Sequence, residues 1–221
     1  MSHTSTVILS CCAPQALREA LSAPGRTLRL LPPAGVTYWP VDAHPDLFFC
    51  QLHAQGQGRL FQGDAGELGA AYPENCRFNA VCLDRYFLHR LSVTSPALLA
   101  EVRRMGLTPI HVRQGYTKCN TVVVDGRSVI TSDPGILRTL RAYPDIDTLA
   151  VRPGFVRLEG FPCGFLGGAS GRVGDTLYFN GDLTAHPDFE AIRAFTEARG
   201  VRLRWLPGYP LTDIGSILCG G

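Results

Sequence analysis

Lysine is almost absent from the chain. Lys118 is the single lysine among 221 residues, so 20 of the 21 basic side chains are arginines. The net charge is only +2, spread without a basic stripe, which gives no electrostatic footprint for nucleic acid. No uninterrupted apolar stretch approaches the ~18 residues that a bilayer crossing needs, so no membrane is expected as partner. The opening MSHTSTVILSCCAPQALREAL lacks the basic start and long apolar run of a secretory signal, and reads as a first strand. There is no CxxC pair and no Cys/His group at zinc-finger spacing, so spacing predicts no metal site. The Gly-rich GFLGGASG is placed inside a hairpin, precedes no helix and so fails as a nucleotide loop. No cofactor is expected.

What remains is a globular composition, 45% hydrophobic and 18% charged, sufficient for one core and read as a single domain over 1–221. Most of the eight cysteines sit in apolar runs such as LFFCQL and NAVCL, as small buried hydrophobes. Reduced thiols and a cytoplasmic location follow as the expectation.

The chain also repeats itself. NTVVVDGRSVIT predicts a hairpin about Asp125-Gly126 with a type I′ turn. A helix capped by Asp133 with Pro134 in its first turn follows, and then the strand DTLAV. The same order recurs in NAVCLDRYFLHR, SPALLAEVRRMG and PIHV, and in CGFLGGASGRVGDTLYFN, HPDFEAIRAFTEARG and VRLRWL. DLFFCQL and GRLFQG form a strand pair followed by a weak helix or turn in AGELGAAYP. TDIGSILC is a strand that runs out of chain; TVILS, PQALREALS and TLRLL at the other end supply what it lacks. Aligned on their first strands, Asp46, Asn79, Asn120, Gly164 and Asp213 fall in equivalent places, 33, 41, 44 and 49 residues apart. A quasi-period near 40 residues predicts a repeat architecture of five ββαβ units in a closed ring, the fifth built by both chain ends.

With the strings HPDLFF, QGYTKCNTVVVDG, VITSD, CGFLGGASG, YFNGDLTAHPD and YPLTDIGSIL, the chain resembles a bacterial family of unassigned function with the pentein fold. This is the α/β-propeller of guanidino-group-modifying enzymes such as arginine deiminase, dimethylarginine dimethylaminohydrolase and the amidinotransferases. The resemblance implies an axial site at the starts of the first strands. There it would gather His44, Asp46, Asn79, Lys118, Cys119, Asn120, Cys163, Gly164, Thr212 and Asp213. It also implies a last-unit Cys nucleophile, a fourth-unit His and carboxylates that grip a cation. Here Thr212 or Asp213 stands where that Cys belongs, Cys219 lies about 20 Å further along an extended strand, and Leu158 and Glu159 stand where the His belongs.

The expected site therefore has Cys119 as candidate catalytic thiol, with His44, Asp46, Asn79, Lys118, Asn120 and Asp213 as candidate ligand contacts. The expected partner is a cationic small molecule or amino acid derivative, acted on by a relative of guanidino- or amino-compound hydrolases and transferases. The alternative is a non-catalytic binding or assembly module on the same fold. Neighbours on a strand face opposite ways, so Lys118 and Cys119 can share one site only if they lie in the loop before it. His186-Pro187-Asp188 repeats the triplet His44-Pro45-Asp46 but reads as a helix N-terminus. Tyr116, Phe161 and Tyr209, each shortly before a first strand, read as repeated packing residues.

Overall fold

The computed structural model describes residues 5–54 and 57–221; residues 1–4 and 55–56 of the expected domain lie outside the described residues. The fold is α/β, built from five small separate sheets. The first joins both ends of the chain: β1 (Ser5–Ser10) pairs antiparallel with β14 (Leu218–Gly220) and parallel with β2 (Arg26–Leu31), with α1 (Gln15–Leu21) as crossover. The second is the hairpin β3 (Phe49–Ala54) and β4 (Gln57–Gln62), followed by two 3-10 turns, Ala65–Glu67 and Glu74–Cys76. The third holds β5 (Val81–Cys82), β6 (Tyr86–His89) and β7 (Thr108–His111), with α2 (Pro96–Arg104) between the last two.

After the helical turn α3 (Thr117–Asn120), the fourth sheet holds β8 (Thr121–Asp125), β9 (Ser128–Thr131) and β10 (Asp147–Ala150), with α4 (Pro134–Leu140). The fifth holds β11 (Ser170–Val173), β12 (Thr176–Phe179) and β13 (Arg202–Arg204), with α5 (Phe189–Glu197). Each parallel pair is bridged by a helix because a two-residue turn cannot join parallel strands. The helix starts follow from the sequence: Asp133 Oδ1 accepts from the Ile136 amide at 2.8 Å and Ser95 Oγ from the Leu98 amide at 3.5 Å.

Alternation along the inner strands explains their unbroken apolar runs. Val129 faces a cluster with Leu88, Ile110 and Ile136, whereas Ile130 faces one with Phe179 and Ile192. Likewise Val7 and Leu9 pack toward Tyr178, but Ile8 packs toward Phe49 and Leu218. Phe87 packs with Cys50 and Leu52, but Leu88 with Val81 and Val129. Strands buried on both faces need apolar residues at every position. Each sheet thus shares one apolar cluster with the sheet before it and another with the sheet after it, and the two chain ends share one with the fifth sheet. Helices α1, α2, α4 and α5 fill the wedge between their own sheet and the preceding one.

Three local expectations are corrected. The hairpin turn after β8 is Gly126-Arg127, since Asp125 pairs with Ser128, and Gly126 has no positive φ, so the type I′ turn does not form. A Cβ on Gly126 would meet the Asp84 carboxylate, which would have to turn aside. GFLGGA lies before the β11–β12 hairpin rather than inside it, Ser170 opening β11; Gly174 and Asp175 make that turn. TDIGSILC is a strand only from Leu218 onward, and residues 212–217 form the irregular segment that the site uses.

Candidate functional site

The segments leading into β3, β5, β8, β11 and β14 are laced together by backbone hydrogen bonds. Asp46 N donates to Gly215 O (3.2 Å), Lys118 N to Asn79 O (3.2 Å), Gly168 N to Cys119 O (2.8 Å) and Ser216 N to Gly168 O (2.7 Å). Glycine makes this approach possible, because a Cβ on Gly167 or Gly168 would collide with the Cys119 carbonyl or the Asp213 carboxylate. The single turn α3 sets Lys118 and Cys119 before β8 rather than on it, so both side chains enter the same place.

A buried polar cluster fills the junction. Asp46, fully buried, has one carboxylate oxygen, Oδ2, that accepts from Cys119 Sγ at 3.0 Å and Ser216 Oγ at 2.6 Å. Lys118 Nζ donates to Ser216 Oγ at 3.1 Å and to Gly167 O at 3.3 Å. The Ser216 hydroxyl has one proton and two acceptors, Asp46 Oδ2 at 2.6 Å and Gly167 O at 3.2 Å, of which Asp46 is the nearer. Asn79 grips the α3 turn, Oδ1 accepting from the Lys118 and Cys119 amides (2.8 and 3.2 Å), while Nδ2 donates to Cys119 Sγ at 3.3 Å. Asp213 accepts from the Gly215 and Phe165 amides at 2.9 and 3.0 Å, and its Oδ1 lies 3.8 Å from His44 Nδ1. Asp46 Oδ1 has no hydrogen-bond partner, although it is buried. Leaving such an acceptor unpaired is costly.

Burial dominates the electrostatics. It pushes the His44 imidazole down to about 4, against the pull of Asp46. It raises the Asp213 carboxyl to about 6, opposed by the Gly215 and Phe165 amides and by Lys118. It also raises Asp46, opposed by His44, Cys119 and Ser216. It lowers Lys118, with Asp46, Cys119 and Asp213 opposing, and raises the Cys119 thiol well above its ordinary value, helped by Asp46 and Asp213. At rest Cys119 is a thiol that donates to Asp46, not a free thiolate.

The structure brings together six of the seven expected residues: His44, Asp46, Asn79, Lys118, Cys119 and Asp213. Asn120 is the exception; its Nδ2 turns back to Tyr116 O at 3.0 Å, because the third unit's register is one residue earlier than the alignment placed it. Cys163 makes no hydrogen bond among the described residues, Thr212 Oγ1 donates to Pro210 O, and Cys219 lies on β14. Ser216 was missed. It has φ 71, beside Gly215 with the same value, and this rarely occupied conformation turns its hydroxyl inward. His44, Cys119 and Asp213 each offer one atom within 4.8 Å of the others, a set able to hold a metal ion.

Outside the cluster, a cavity of about 410 Å³ lies between Val156, Arg157, Leu158, Glu159, Phe161 and Thr212. Leu158 and Asp213 close around Gly164, with their Cβ atoms 3.1 and 2.6 Å from where its own Cβ would stand. Tyr38 bonds Tyr116 hydroxyl to hydroxyl at 2.6 Å and packs on Phe161, and Trp39 Nε1 reaches Glu159 at 3.3 Å. Tyr116 is therefore half-buried packing, whereas Phe161 and Tyr209 are exposed and not equivalent to it.

The sequence profile of a Family of unknown function (DUF6873) matches residues 56–218, about three quarters of the chain. The chain belongs to this family. The DUF6873 match spans Asn79, Lys118, Cys119, Asp213 and Ser216 but begins after His44 and Asp46. No curated protein and no solved structure matches the chain. Among the described residues no helix is long and apolar enough to cross a membrane.

Proposed function

We propose that the chain is a five-unit α/β-propeller of the pentein kind whose axial cluster binds a small cationic nitrogen compound and attacks its amidine or guanidine carbon with Cys119. The serial packing of the sheets and the sheet shared by the chain ends support the ring. The unpaired, buried Asp46 Oδ1 beside a thiol carries the ligand reading, since it lacks a donor that a cationic N–H would supply.

Relative to the enzymes it resembles, the chemical groups sit on different units: the thiol comes from the third and the imidazole from the segment entering β3. A cation between Asp46 and Asp213 favours the thiolate by Coulomb attraction and frees the Asp46 acceptor from the S–H. The Cys119 proton passes to Asp46 Oδ2, which already accepts from the thiol at 3.0 Å and whose carboxyl is raised by burial, as the sulfur–carbon bond forms. Asp46 returns that proton to the departing amine as the carbon–nitrogen bond breaks. Water, or an acceptor amine, then displaces the sulfur and regenerates the thiol.

The test is labelling by 2-chloroacetamidine, an amidinium alkylator, with mass mapping of all eight cysteines, alongside thermal shifts with arginine, agmatine, methylarginines and simple amines. Preferential modification of Cys119, slowed by a ligand that raises Tm, is the expected result. Flat melting curves together with random labelling overturn the proposal and leave the binding or assembly module.

A further inference from the structure

We propose that the axial cluster is a zinc site, in which Cys119 Sγ, a ring nitrogen of His44 and an Asp213 oxygen ligate the ion and Asp46 Oδ1 or water takes the fourth position. The donor set is the first reason. Thiolate, imidazole and carboxylate are the three ligand types of tetrahedral Zn²⁺, while a thiol and an imidazole suit neither Mg²⁺ nor Ca²⁺.

Geometry is the second reason. The three donor atoms lie within 4.8 Å of one another, and His44 Nδ1 is already 3.8 Å from Asp213 Oδ1. Tetrahedral ligands at about 2.0–2.3 Å from zinc stand roughly 3.4–3.7 Å apart. No pair must therefore close by more than about 1.4 Å, within reach of side-chain rotation. The third reason lies beside the three-donor group: Asp46 Oδ1 is a buried carboxylate oxygen with no partner, on the same carboxylate whose Oδ2 accepts from the thiol.

The surrounding groups fit a filled site. Asn79 Nδ2 donates to the sulfur, the Gly215 and Phe165 amides orient Asp213, and Ser216 orients Asp46. Such outer contacts fix ligands in ordinary zinc centres. Charge balances as well, because Zn²⁺ and the Lys118 ammonium together match the Cys119 thiolate, Asp46 and Asp213. Zinc binding uses Cys119 as a ligand only, so it does not rest on the amidine chemistry, with which it would compete.

The experiment titrates chelator-stripped, phosphine-reduced protein with Zn²⁺ against a chromophoric chelator, and with Co²⁺ as spectroscopic probe. The expected result is one ion per chain, with the visible bands of tetrahedral Co²⁺ and a sulfur-to-cobalt charge-transfer band. Cys119→Ser should remove the charge-transfer band, and His44→Ala should weaken zinc by about 100-fold or more. Cys12→Ser, at an exposed thiol, should change neither. X-ray absorption on the unmutated zinc protein, showing one sulfur among nitrogen and oxygen neighbours, keeps the test independent of whether the variants fold. No stoichiometric binding, a shell without sulfur, or binding that survives Cys119→Ser overturns the site. The two readings separate cleanly: zinc without amidine labelling of the stripped protein retains this site and sinks the enzyme, and labelling without zinc does the reverse.

Discussion

The triplet His-Pro-Asp occurs twice, and its two copies live in opposite surroundings. Asp46 is fully buried, shares Oδ2 between a thiol and a hydroxyl, and is held above the ordinary carboxylate range by burial. Asp188 sits at the start of α5 on the surface, where Arg152 grips it through its backbone amide (2.7 Å), Nε (2.9 Å) and Nη2 (2.7 Å). Those bonds hold Asp188 below the ordinary range. The same three letters thus give a carboxylate short of donors and one saturated with them. Chemistry at a triplet is decided by what folds over it: for Asp46 the irregular segment 212–217 and the α3 turn, for Asp188 an exposed arginine.

The largest expected difference comes from removing each carboxylate. Asp46→Ala leaves the Cys119 donor without its acceptor, the Ser216 hydroxyl with only the Gly167 carbonyl at 3.2 Å, and Lys118 without its strongest buried counter-charge. A loss of about 3–5 kcal/mol is expected for breaking such a buried group, read from urea unfolding. Asp46→Asn keeps an acceptor and should lose less. If Asp46→Ala unfolds no more easily than Asp188→Ala, the cluster is wetter than its burial indicates.

A second contrast is one of sign. Asp213 in the cluster has its folded value raised to about 6, from an ordinary 3.8. The unfolded chain therefore ionises first, and the ionisable group costs stability as pH rises from about 4 to 6. Relative to Asp213→Asn, the unmodified chain should lose up to about 3 kcal/mol over that window, at roughly 1.4 kcal/mol per pKa unit. Asp188, with its value lowered, works the other way: its contribution is present above the unfolded value near 3.8 and is lost as pH falls below it. Measured unfolding free energies of Asp213→Asn and Asp188→Asn against pH should therefore diverge from the parent in opposite directions. Parallel curves would remove the distinction.

The sequence carries the elements well and the site in part. Apolar and β-branched runs, caps at Ser95 and Asp133, and helix-ending Gly106 and Gly200 mark most strands and helices, and the split unit was readable from what each chain end lacked. Register was the weak point. The one-turn helix α3 has no pattern of its own, being too short for helical periodicity, so the repeat alignment was centred on Asn120, which was added to Cys119 as an inward residue. Ser216 was illegible because a left-handed serine leaves no compositional trace. The convergence of Lys118 and Cys119 with Asp46 and Ser216 depends on sheets packing from either side, information that no single unit contains.

The smallest effect belongs to the surface copy. Asp188→Ala removes an ion pair whose Arg152 partner keeps 60% of its side-chain surface in solvent. Exposed pairs contribute little, because water already screens both charges and ordering the long arginine costs entropy. Loss of Asp188 also takes an anion from the start of α5, a dipole effect of the same modest size. Together these should lower Tm by no more than about 2–4 °C in low salt, and most of that should vanish at ~1 M salt, where screening reaches only about 3 Å. The Asp46→Ala deficit, buried beneath the salt's reach, should persist at the same concentration. Differential scanning calorimetry of both variants in low and high salt reads the contrast directly: a salt-sensitive Asp46 deficit would mean that the buried cluster stands open to solvent ions.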